Sequence, residues 1–464
     1  MIFKSYSNFQ KNPDVLIIGS GPAALSLAHS LEQKKINSAI FESGNFQYNQ
    51  NLQNSYRGKT SGRFDFDLTT NRSKQFGGTA NLWSGRCRPL DECDLKNWSQ
   101  KKINLKDFQE EASRILMLDN NFIDQRIDEN FRKINFEYAD LDFTSFYENK
   151  IYKSKYIDLV LNSNFITFTS DSDVFKKAKF IDFNTKNEFE VKSKIFVLGC
   201  GGIDNSRYLL LLKEKYNLLN KRLPIGKYWM GHFKVHTGEI LADYKKYKLF
   251  WNNSVPNIAL NEKIVENNNF ANSSAHMYDN QISKTKFNKI AKDLLCVAPE
   301  YTRKITKLFK KNLLCGIGIK LFWGQEPLKE NCIKLDGYSN DQFGLPRVNI
   351  ICNTYDKDIN AAELILNRLG KFFIYNDIGR VSVYSWLKYD TISWEGNHHM
   401  GGTIIGDNPK RSVVNSNLKV HNTKNLFVIG SSVFARSGYT NPTMSIVQFS
   451  LRLAKYIKNL SNKV

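Results

Sequence analysis

The stretch DVLIIGSGPAALSLAHSLEQKKINSAIFESG, residues 14–44, constrains the fold more than any other part of the chain. Its apolar run Val15 to Ile18 predicts a buried parallel strand. The apolar pattern after the glycines predicts a helix, and the run SAIFE predicts a second strand that ends in Glu42. We therefore expect a strand–turn–helix–strand unit, which begins an α/β fold on a parallel sheet.

The turn of this unit has the pattern G-x-G-x-x-A, formed by Gly19, Ser20, Gly21 and Ala24. Gly19 permits a tight turn, and Gly21 lets a pyrophosphate approach the backbone at the N-terminus of the helix. Glu42 follows 21 residues after Gly21 and can accept hydrogen bonds from a ribose diol. The pattern predicts dinucleotide binding but does not distinguish FAD from NAD, and the alternative is an ordinary tight turn between strand and helix.

Two later segments repeat the strand-and-glycine pattern. KSKIFVLGCGGIDNSRYLLLL predicts a buried strand, a turn at Gly199, Gly201 and Gly202, and a helix. NLFVIG near the carboxyl end predicts another buried strand, after which Pro442 begins a helix. Both strands are expected in the same nucleotide-binding sheet, and residues 162–193 between the first two units predict a small antiparallel meander.

Residues 235–394 differ from the flanking parts because they hold strand-like runs and a helical stretch at 358–373 without any nucleotide motif. We expect an α+β domain on an antiparallel sheet, inserted between parts of a Rossmann-like domain. The boundaries expected along the chain are residues 10–100 and 151–234 for the first two nucleotide-binding parts, 101–150 for a helical connection, 235–394 for the inserted domain, and 395–464 for the last nucleotide-binding part with the active-site residues.

The formal net charge of the chain is +21 over 464 residues, but the lysines are scattered and follow a general bias in composition. No nucleic-acid motif is present, so no nucleic-acid partner is expected. RKITKLFKK, residues 303–311, predicts a solvated amphipathic helix, and the alternative is contact with a membrane surface or an anionic substrate. No apolar run is long enough for a transmembrane helix, and no signal peptide is apparent.

Seven cysteines without C-x-x-C spacing favour reduced thiols in a cytoplasmic protein without a metal site. Two adjacent histidines stand out instead, in the glycine-rich stretch GNHHMGGTIIG, residues 396–406. A second glycine-rich stretch, FGGTANLWSG, begins at residue 76. Its glycine pair lets backbone amides approach a bound group, and its tryptophan supplies a flat surface.

Together these motifs resemble the glucose–methanol–choline (GMC) oxidoreductase family. The resemblance covers G-x-G-x-x-A with Glu42, FGGTANLWSG, VLGCGGIDNSRYLLL, IGKYWMGH and the block from His398 to about Ile457, in the order of the family. It implies FAD, a substrate domain over the flavin ring, and oxidation of a small alcohol to an aldehyde or ketone. The further cofactor-binding positions that it implies are Gly77, Gly78, Thr79, Asn81, Trp83, Val174, Gly430, Ser431, Asn441, Pro442 and Thr443.

The family pattern H-x-x-G-T-x-R-M-G assigns the active-site histidine to His398 when it is matched through Gly406 and the SVVN that follows. A match through Thr403 would select His399 but would misplace Gly406, so His399 receives a flanking role. The chain departs from the pattern at Gly402, Ile404 and Ile405, which implies changed surroundings of the site. His232 in IGKYWMGH is interpreted as structural.

Asn441 matches the second active-site position of the family, which is histidine or asparagine. It also directly precedes Pro442, where an asparagine side chain can cap a helix, and a capping side chain could not bind the substrate hydroxyl.

The resemblance implies that hydride passes to flavin N5 while neutral His398 takes the hydroxyl proton. The helix that begins near Asn441 would stabilise negative charge beside it. The chain has Leu82 where some members carry a flavin-linked histidine, which predicts non-covalent FAD. The electron acceptor stays open, as do two alternatives on the same fold, namely a non-oxidative lyase and a non-catalytic flavin-binding partner protein. An NAD dehydrogenase fits the split nucleotide domain less well.

Overall fold

The computed structural model describes residues 1–461 except 97, 100–102, 243, 253–255, 280–297, 299–300, 302–316 and 384–396. The amphipathic stretch predicted at 303–311 lies outside the described residues.

Six parallel strands form the central sheet of the nucleotide-binding part. In spatial order, with strands numbered along the chain, they are β1 (Ile2–Phe3), β9 (Ile157–Val160), β3 (Ser38–Phe41), β2 (Val15–Ile18), β13 (Ile195–Leu198) and β21 (Leu426–Val428). Strands β2 and β3 are fully buried, as expected for a sheet that is covered on both faces. The Rossmann-like sheet predicted from the glycine motifs is confirmed.

Ten α-helices occur in the described part of the chain. They are α1 (Pro22–Gln33), α2 (Gln50–Gln53), α3 (Glu92–Leu95), α4 (Gln109–Leu116), α5 (Phe143–Lys153), α6 (Gly201–Glu214), α7 (Tyr244–Phe250), α8 (Glu262–Asn268), α9 (Asp356–Tyr375) and α10 (Thr443–Ser461). Helix α1 begins with a proline in its first turn and packs against α10. No helix in the described ranges combines the length and apolar character needed to cross a membrane.

A second sheet of seven antiparallel strands forms the inserted domain. In spatial order its strands are β20 (Gly379–Val383), β14 (His232–Ala242), β17 (Ile317–Gly324), β16 (Ser273–Asp279), β15 (Asn257–Leu260), β7 (Phe131–Ile134) and β6 (Asp124–Arg126). Phe233 and Val235 of β14 join the apolar core that α9 covers. Because side chains alternate along a strand, His232 and Lys234 face the opposite side. The expected antiparallel sheet in an inserted domain is confirmed.

Residues 101–150, for which a helical connection was expected, contain strands as well as helices. Strands β6 and β7 come from this segment and complete one edge of the seven-stranded sheet. The inserted domain therefore draws on chain that precedes residue 235.

Three smaller sheets also occur in the described ranges. The antiparallel meander consists of β10 (Ser163–Asp171), β11 (Val174–Asp182) and β12 (Glu188–Lys192), as predicted. Another sheet pairs β18 (Cys332–Asn340) antiparallel with β19 (Pro346–Cys352), beside β4 (Lys59–Gly62). The last is the short pair β5 (Arg86–Cys87) and β8 (Glu137–Tyr138).

Candidate active site

The carboxyl ends of four neighbouring parallel strands open into one cavity of about 700 Å³. The residues that follow β3, β2, β13 and β21 line it, namely Glu42, Gly19, Gly199 and Gly430. Parallel α/β sheets bind their ligands at this edge, at the point where the order of strands reverses. Three glycine motifs that are distant in sequence therefore meet in one place.

Close approach of backbones explains the glycines of this wall. A Cβ on Gly19 would lie 2.7 Å from the carbonyl oxygen of Gly199, and the φ of Gly19 is +96°. A Cβ on Gly78 would lie 3.0 Å from the Cα of Gly21. The 3₁₀ turn Gly78–Leu82 thus packs against the first glycine turn. Both turns line the cavity, and together they form a wall of exposed backbone that suits an anionic group at the N-terminus of α1.

Most of the predicted cofactor-binding residues line this cavity. They are Gly19, Ser20, Gly21, Glu42, Gly78, Thr79, Trp83, Gly430, Ser431, Asn441, Pro442 and Thr443. Ala24, Gly77 and Asn81 are not among the residues that line it. Asn81 donates to the carbonyl oxygen of Phe76 (2.8 Å) and accepts from Thr144 Oγ1 (2.7 Å), so its side chain holds the glycine turn.

Val174 is not brought to the cavity, which corrects its assignment to the cofactor. It begins β11, where the carbonyl of the preceding residue, Asp173, accepts from the backbone N–H of Lys424. Lys424 precedes β21, and the cavity lies beyond the other end of that strand. Val174 therefore lies at the amino edge of the sheet, away from the cofactor edge.

Charged residues that the sequence motifs did not single out also line the nucleotide end. Arg72 donates to Asp204 at 2.6 Å and stacks over the ring of Tyr56 at 4.0 Å. Lys74 is buried beside them, and burial is the main reason that its pKa is lowered. The only sequence signal for these cations was their position directly before the FGG turn.

His398 lies in the cavity, and its ring contacts that of His232. The Nδ1 atom of His398 is 2.6 Å from Nε2 of His232. The register explains the contact, because Met230 and Met400 form an antiparallel bridge through two backbone hydrogen bonds. His232 lies two residues after Met230 and His398 two residues before Met400, so the antiparallel register brings the two histidines opposite each other. The sequence interpretation of His232 as merely structural did not foresee this contact.

The electrostatic surroundings keep both rings neutral. Burial, then Lys234 and Arg86, lower the pKa of His398 to about 4. Burial is also the main cause that holds the pKa of His232 well below its usual value, followed by His398 and Arg86. At neutral pH both rings are therefore unprotonated, and each carries one N–H and one lone pair.

His399 also lines the cavity but packs differently. Its ring lies 6.0 Å from the ring of Phe66 and 6.0 Å from that of Trp229. Its carbonyl oxygen accepts from Ser431 Oγ at 2.6 Å. A Cβ on Gly202 would come within 2.1 Å of the same oxygen, so the backbone of His399 fits against the third glycine turn.

Asn441 lies in the cavity with His398, at the N-terminus of α10. Its side chain makes no hydrogen bond to any residue that the structure describes, so it does not cap the helix. Thr443 and Ile446 of the first turn line the same cavity. The amino end of α10, where N–H groups lack partners within the helix, therefore points into this space.

The seven-stranded sheet closes the cavity from the other side with Lys234 and Phe322. Arg86 from β5 lies with its guanidinium carbon 4.5 Å from the Phe322 ring, and Lys234 Nζ lies 6.0 Å from that ring. The wall opposite the glycine turns is therefore aromatic and cationic, and none of these three residues was predicted from the sequence.

Residues 327–450 match the model of the family described as GMC oxidoreductase. The chain is 26% identical to 2-methyl-1,2-propanediol dehydrogenase of Mycolicibacterium austroafricanum over 300 residues, which are 60% of this chain and 50% of that protein. It is 22% identical to the fructose dehydrogenase large subunit of Gluconobacter japonicus over 306 residues, 64% of this chain and 53% of that one. The chain thus spans about half the length of these curated relatives.

Solved structures share the fold at low identity. Pyridoxine 4-oxidase from Mesorbium loti superimposes with a TM-score of 0.59 at 12% identity, over 96% of this chain and 99% of that one. A formate oxidase of Aspergillus oryzae gives 0.56 at 13% identity, over 98% of this chain and 100% of that one. The parallel sheet, the seven-stranded sheet and the matched carboxyl-terminal block agree with one another. The carboxyl-terminal part of the chain is therefore similar to the GMC oxidoreductase family, and the whole chain shares the fold of the two solved oxidases.

Proposed function

We propose that this protein is an FAD-dependent oxidoreductase that converts a primary or secondary alcohol, such as a sugar or polyol, to an aldehyde or ketone. The observation that carries the proposal is that His398 and Asn441 face one cavity whose other end consists of the glycine turns. A site for an alcohol and a site for a dinucleotide are thus continuous.

The residues of this chain fit FAD, the cofactor of the family. The turn from Gly19 to Gly21 would hold the pyrophosphate at the N-terminus of α1. Glu42 would accept from the ribose, and the cations Arg72 and Lys74 add positive charge to the nucleotide end. Bound FAD supplies the acceptor for the hydride that leaves the alcohol carbon.

His398 would remove the hydroxyl proton. Its lowered pKa, about 4, keeps the ring in the neutral form that can accept a proton near pH 7. A well-placed general base of this kind contributes roughly 10²–10⁴-fold to the rate. His398 is therefore the residue whose loss should affect the chemical step most.

Asn441 would hold the substrate oxygen. Its amide can donate to the oxygen as the carbonyl forms, and the side chain is available because it does not cap α10. The amino end of α10 favours negative charge in the same space.

The curated relatives support a CH–OH donor. Their printed names are those of a propanediol dehydrogenase, a fructose dehydrogenase subunit and a gluconate 2-dehydrogenase flavoprotein from Pantoea cypripedii, the last 27% identical over 135 residues, 28% of this chain and 22% of that one. All three act on hydroxyl-bearing compounds by these names. They do not select one alcohol for this chain.

Anaerobic bleaching of the flavin absorbance tests the proposal directly. The purified protein, loaded with FAD, would be mixed without oxygen with a panel of sugars, polyols, sterols and simple alcohols. At least one alcohol should bleach the flavin. If none did while dithionite reduced the flavin normally, the protein would be a lyase or a non-catalytic flavin-binding protein instead.

A further inference from the structure

The contact between His398 and His232 decides which nitrogen of His398 can act on a substrate. Nδ1 of His398 is turned toward His232, so Nε2 is the nitrogen left for the cavity. Since both rings are neutral, one of the two contacting nitrogens must carry a proton and the other a lone pair. Two arrangements satisfy this condition, and they have opposite consequences for chemistry.

In the first arrangement the Nδ1–H of His398 donates to Nε2 of His232, and Nε2 of His398 presents a lone pair to the cavity. In the second, His232 donates, and Nε2 of His398 carries hydrogen. Only in the first arrangement can His398 take a proton from an alcohol. In the second arrangement the one lone pair of His398 is already engaged by His232.

Charges around the pair favour the first arrangement. Lys234 on β14 and Arg86 on β5 act on His398 from the cavity walls, and the amino end of α10 opens into the same space. Positive charge on that side attracts a lone pair and repels an N–H dipole. His232 itself is 1% exposed, and its Nδ1 atom has no hydrogen-bond partner among the described residues, whichever tautomer it adopts.

We propose that His232 is a positioning residue: its Nε2 accepts the Nδ1–H of His398 and keeps the Nε2 lone pair of His398 directed into the cavity. The inference deepens the proposed function and rests on it. When the alcohol O–H bond breaks, the proton forms a new N–H bond at Nε2 of His398. The Nδ1–H of the resulting imidazolium is still accepted by His232, so the charged ring keeps a hydrogen-bonded partner.

A neutral acceptor differs from a carboxylate in one measurable way. A carboxylate beside His398 would stabilise the imidazolium and raise its pKa. A neutral imidazole orients the ring without that large shift, which is consistent with the low pKa of His398. His232 therefore controls orientation and tautomer, and substitution by an acid should change the pH profile.

Nitrogen-15 NMR of histidine-labelled, FAD-loaded protein tests the proposal without any substrate. The signals of His398 and His232 would be assigned with His398→Gln and His232→Gln. At neutral pH we expect hydrogen on Nδ1 of His398 and none on its Nε2. Hydrogen on Nε2 of His398 would overturn the proposal, even if an alcohol bleached the flavin.

Variants at His232 give the second readout, in anaerobic flavin reduction across pH. His232→Leu should slow reduction by roughly 10-fold or more, the size typical of lost orienting partners. His232→Gln, whose amide oxygen can accept the same hydrogen bond, should restore most of the rate. His232→Glu should move the acidic limb of the profile to higher pH.

His236→Gln is the matched control, because His236 is on the same face of β14, hydrogen-bonds to Tyr278 and does not line the cavity. Its reduction rate should equal that of the wild type. A purely packing role for His232 predicts that leucine is tolerated and that glutamate leaves the pH profile unchanged, and either result would contradict the proposal. If no alcohol bleached the wild-type flavin, the proposed function would fail, while the NMR result would still decide the tautomer.

Discussion

Ser20 and Glu42, which follow neighbouring parallel strands, are joined by a 2.6 Å hydrogen bond from Ser20 Oγ to Glu42 Oε2. The other carboxylate oxygen accepts the backbone N–H of Gly44 at 2.7 Å. Burial raises the pKa of Glu42, and these two hydrogen bonds and Lys74 oppose that rise. The carboxylate therefore braces the glycine turn as well as lining the proposed ribose site, and each oxygen keeps acceptor capacity for a ligand.

Glu42→Gln should weaken FAD binding. The amide keeps the shape of the side chain but loses the charge that strengthens its hydrogen bonds, so the dissociation constant should rise roughly 10-fold or more. Titration of the apoprotein with FAD, followed by fluorescence, measures it. Glu110→Gln on the exposed face of α4 is the control and should bind FAD as the wild type does. If Glu42→Gln bound FAD with the affinity of the wild type, the proposed contact between Glu42 and the ribose would be wrong.

His398→Ala should slow anaerobic flavin reduction by about 100-fold or more, since it removes the general base. FAD content should stay normal, because the predicted nucleotide contacts lie on other segments. His399→Ala should affect that step much less, although it opens a space between Phe66 and Trp229. If His399→Ala were the inactive variant and His398→Ala nearly normal, the match of the family pattern through Gly406 would be incorrect.

Asn441→Ala separates a substrate role from a helix cap. Loss of an asparagine cap typically costs about 1 kcal/mol of stability. Because the side chain makes no hydrogen bond in the described structure, the thermal midpoint should be unchanged, while flavin reduction should slow. Both are measured on the same preparation. A lower midpoint with a normal rate would instead assign Asn441 to capping.

The FAD should be released by acid precipitation. Leu82, half exposed in the wall of the cavity, offers no nucleophile at the position where a linked histidine occurs in some family members. The yellow colour should therefore stay in the supernatant. Colour in the protein pellet would require another attachment residue, which peptide mapping would locate.

Acid should destabilise the fold between about pH 6.5 and pH 4. The rings of His232 and His399, which are buried, and of His398, which is half-buried, all have lowered pKa values, and that of His398 is about 4. In this window the unfolded chain, with ordinary histidines, binds protons that the folded chain does not, so stability falls as pH falls.

Thermal unfolding of the apoprotein at several pH values measures this effect. His398→Asn should show a smaller loss of stability than the wild type across the window. If stability fell equally with pH in His398→Asn and in the wild type, His398 would not be held as a neutral ring in the folded protein.

The sequence predicted the structure best at positions where the backbone admits only glycine. A tight turn at Gly19, beside the carbonyl of Gly199, excludes side chains, so the glycine motifs predicted the sheet edge and most of the cavity wall. The pairing of His398 with His232 depends on a backbone register between segments about 170 residues apart, which no local pattern encodes. The wall formed by Arg86 and Phe322 has the same origin.

Val174 was assigned to the cofactor through the family resemblance alone, and the strand that does reach the cavity edge nearby, β9, was missed. The short parallel strand β9 runs almost directly into the hairpin β10–β11, and only four residues mark it. The meander was predicted only from residue 162 onward, and no strand was predicted at residues 157–160. In the structure, the backbone N–H of Glu42 donates to the carbonyl oxygen of Val160. The end of β9 therefore lies at the same edge of the sheet as Glu42. Similarly, β6 and β7 are short and largely polar, and they become sheet strands because β7 pairs with β15 and β6 pairs with β7.

The two walls of the cavity belong to different sheets. Substitutions at Lys234 or Phe322 would alter the size and charge of the space proposed for the alcohol without touching the glycine turns at the other end. Under the proposed function, selection could therefore exchange one alcohol for another by changing a few side chains on one sheet face, while the residues proposed for the cofactor and for proton removal stay the same. The same separation gives protein engineers a small, defined set of positions at which to retarget the enzyme.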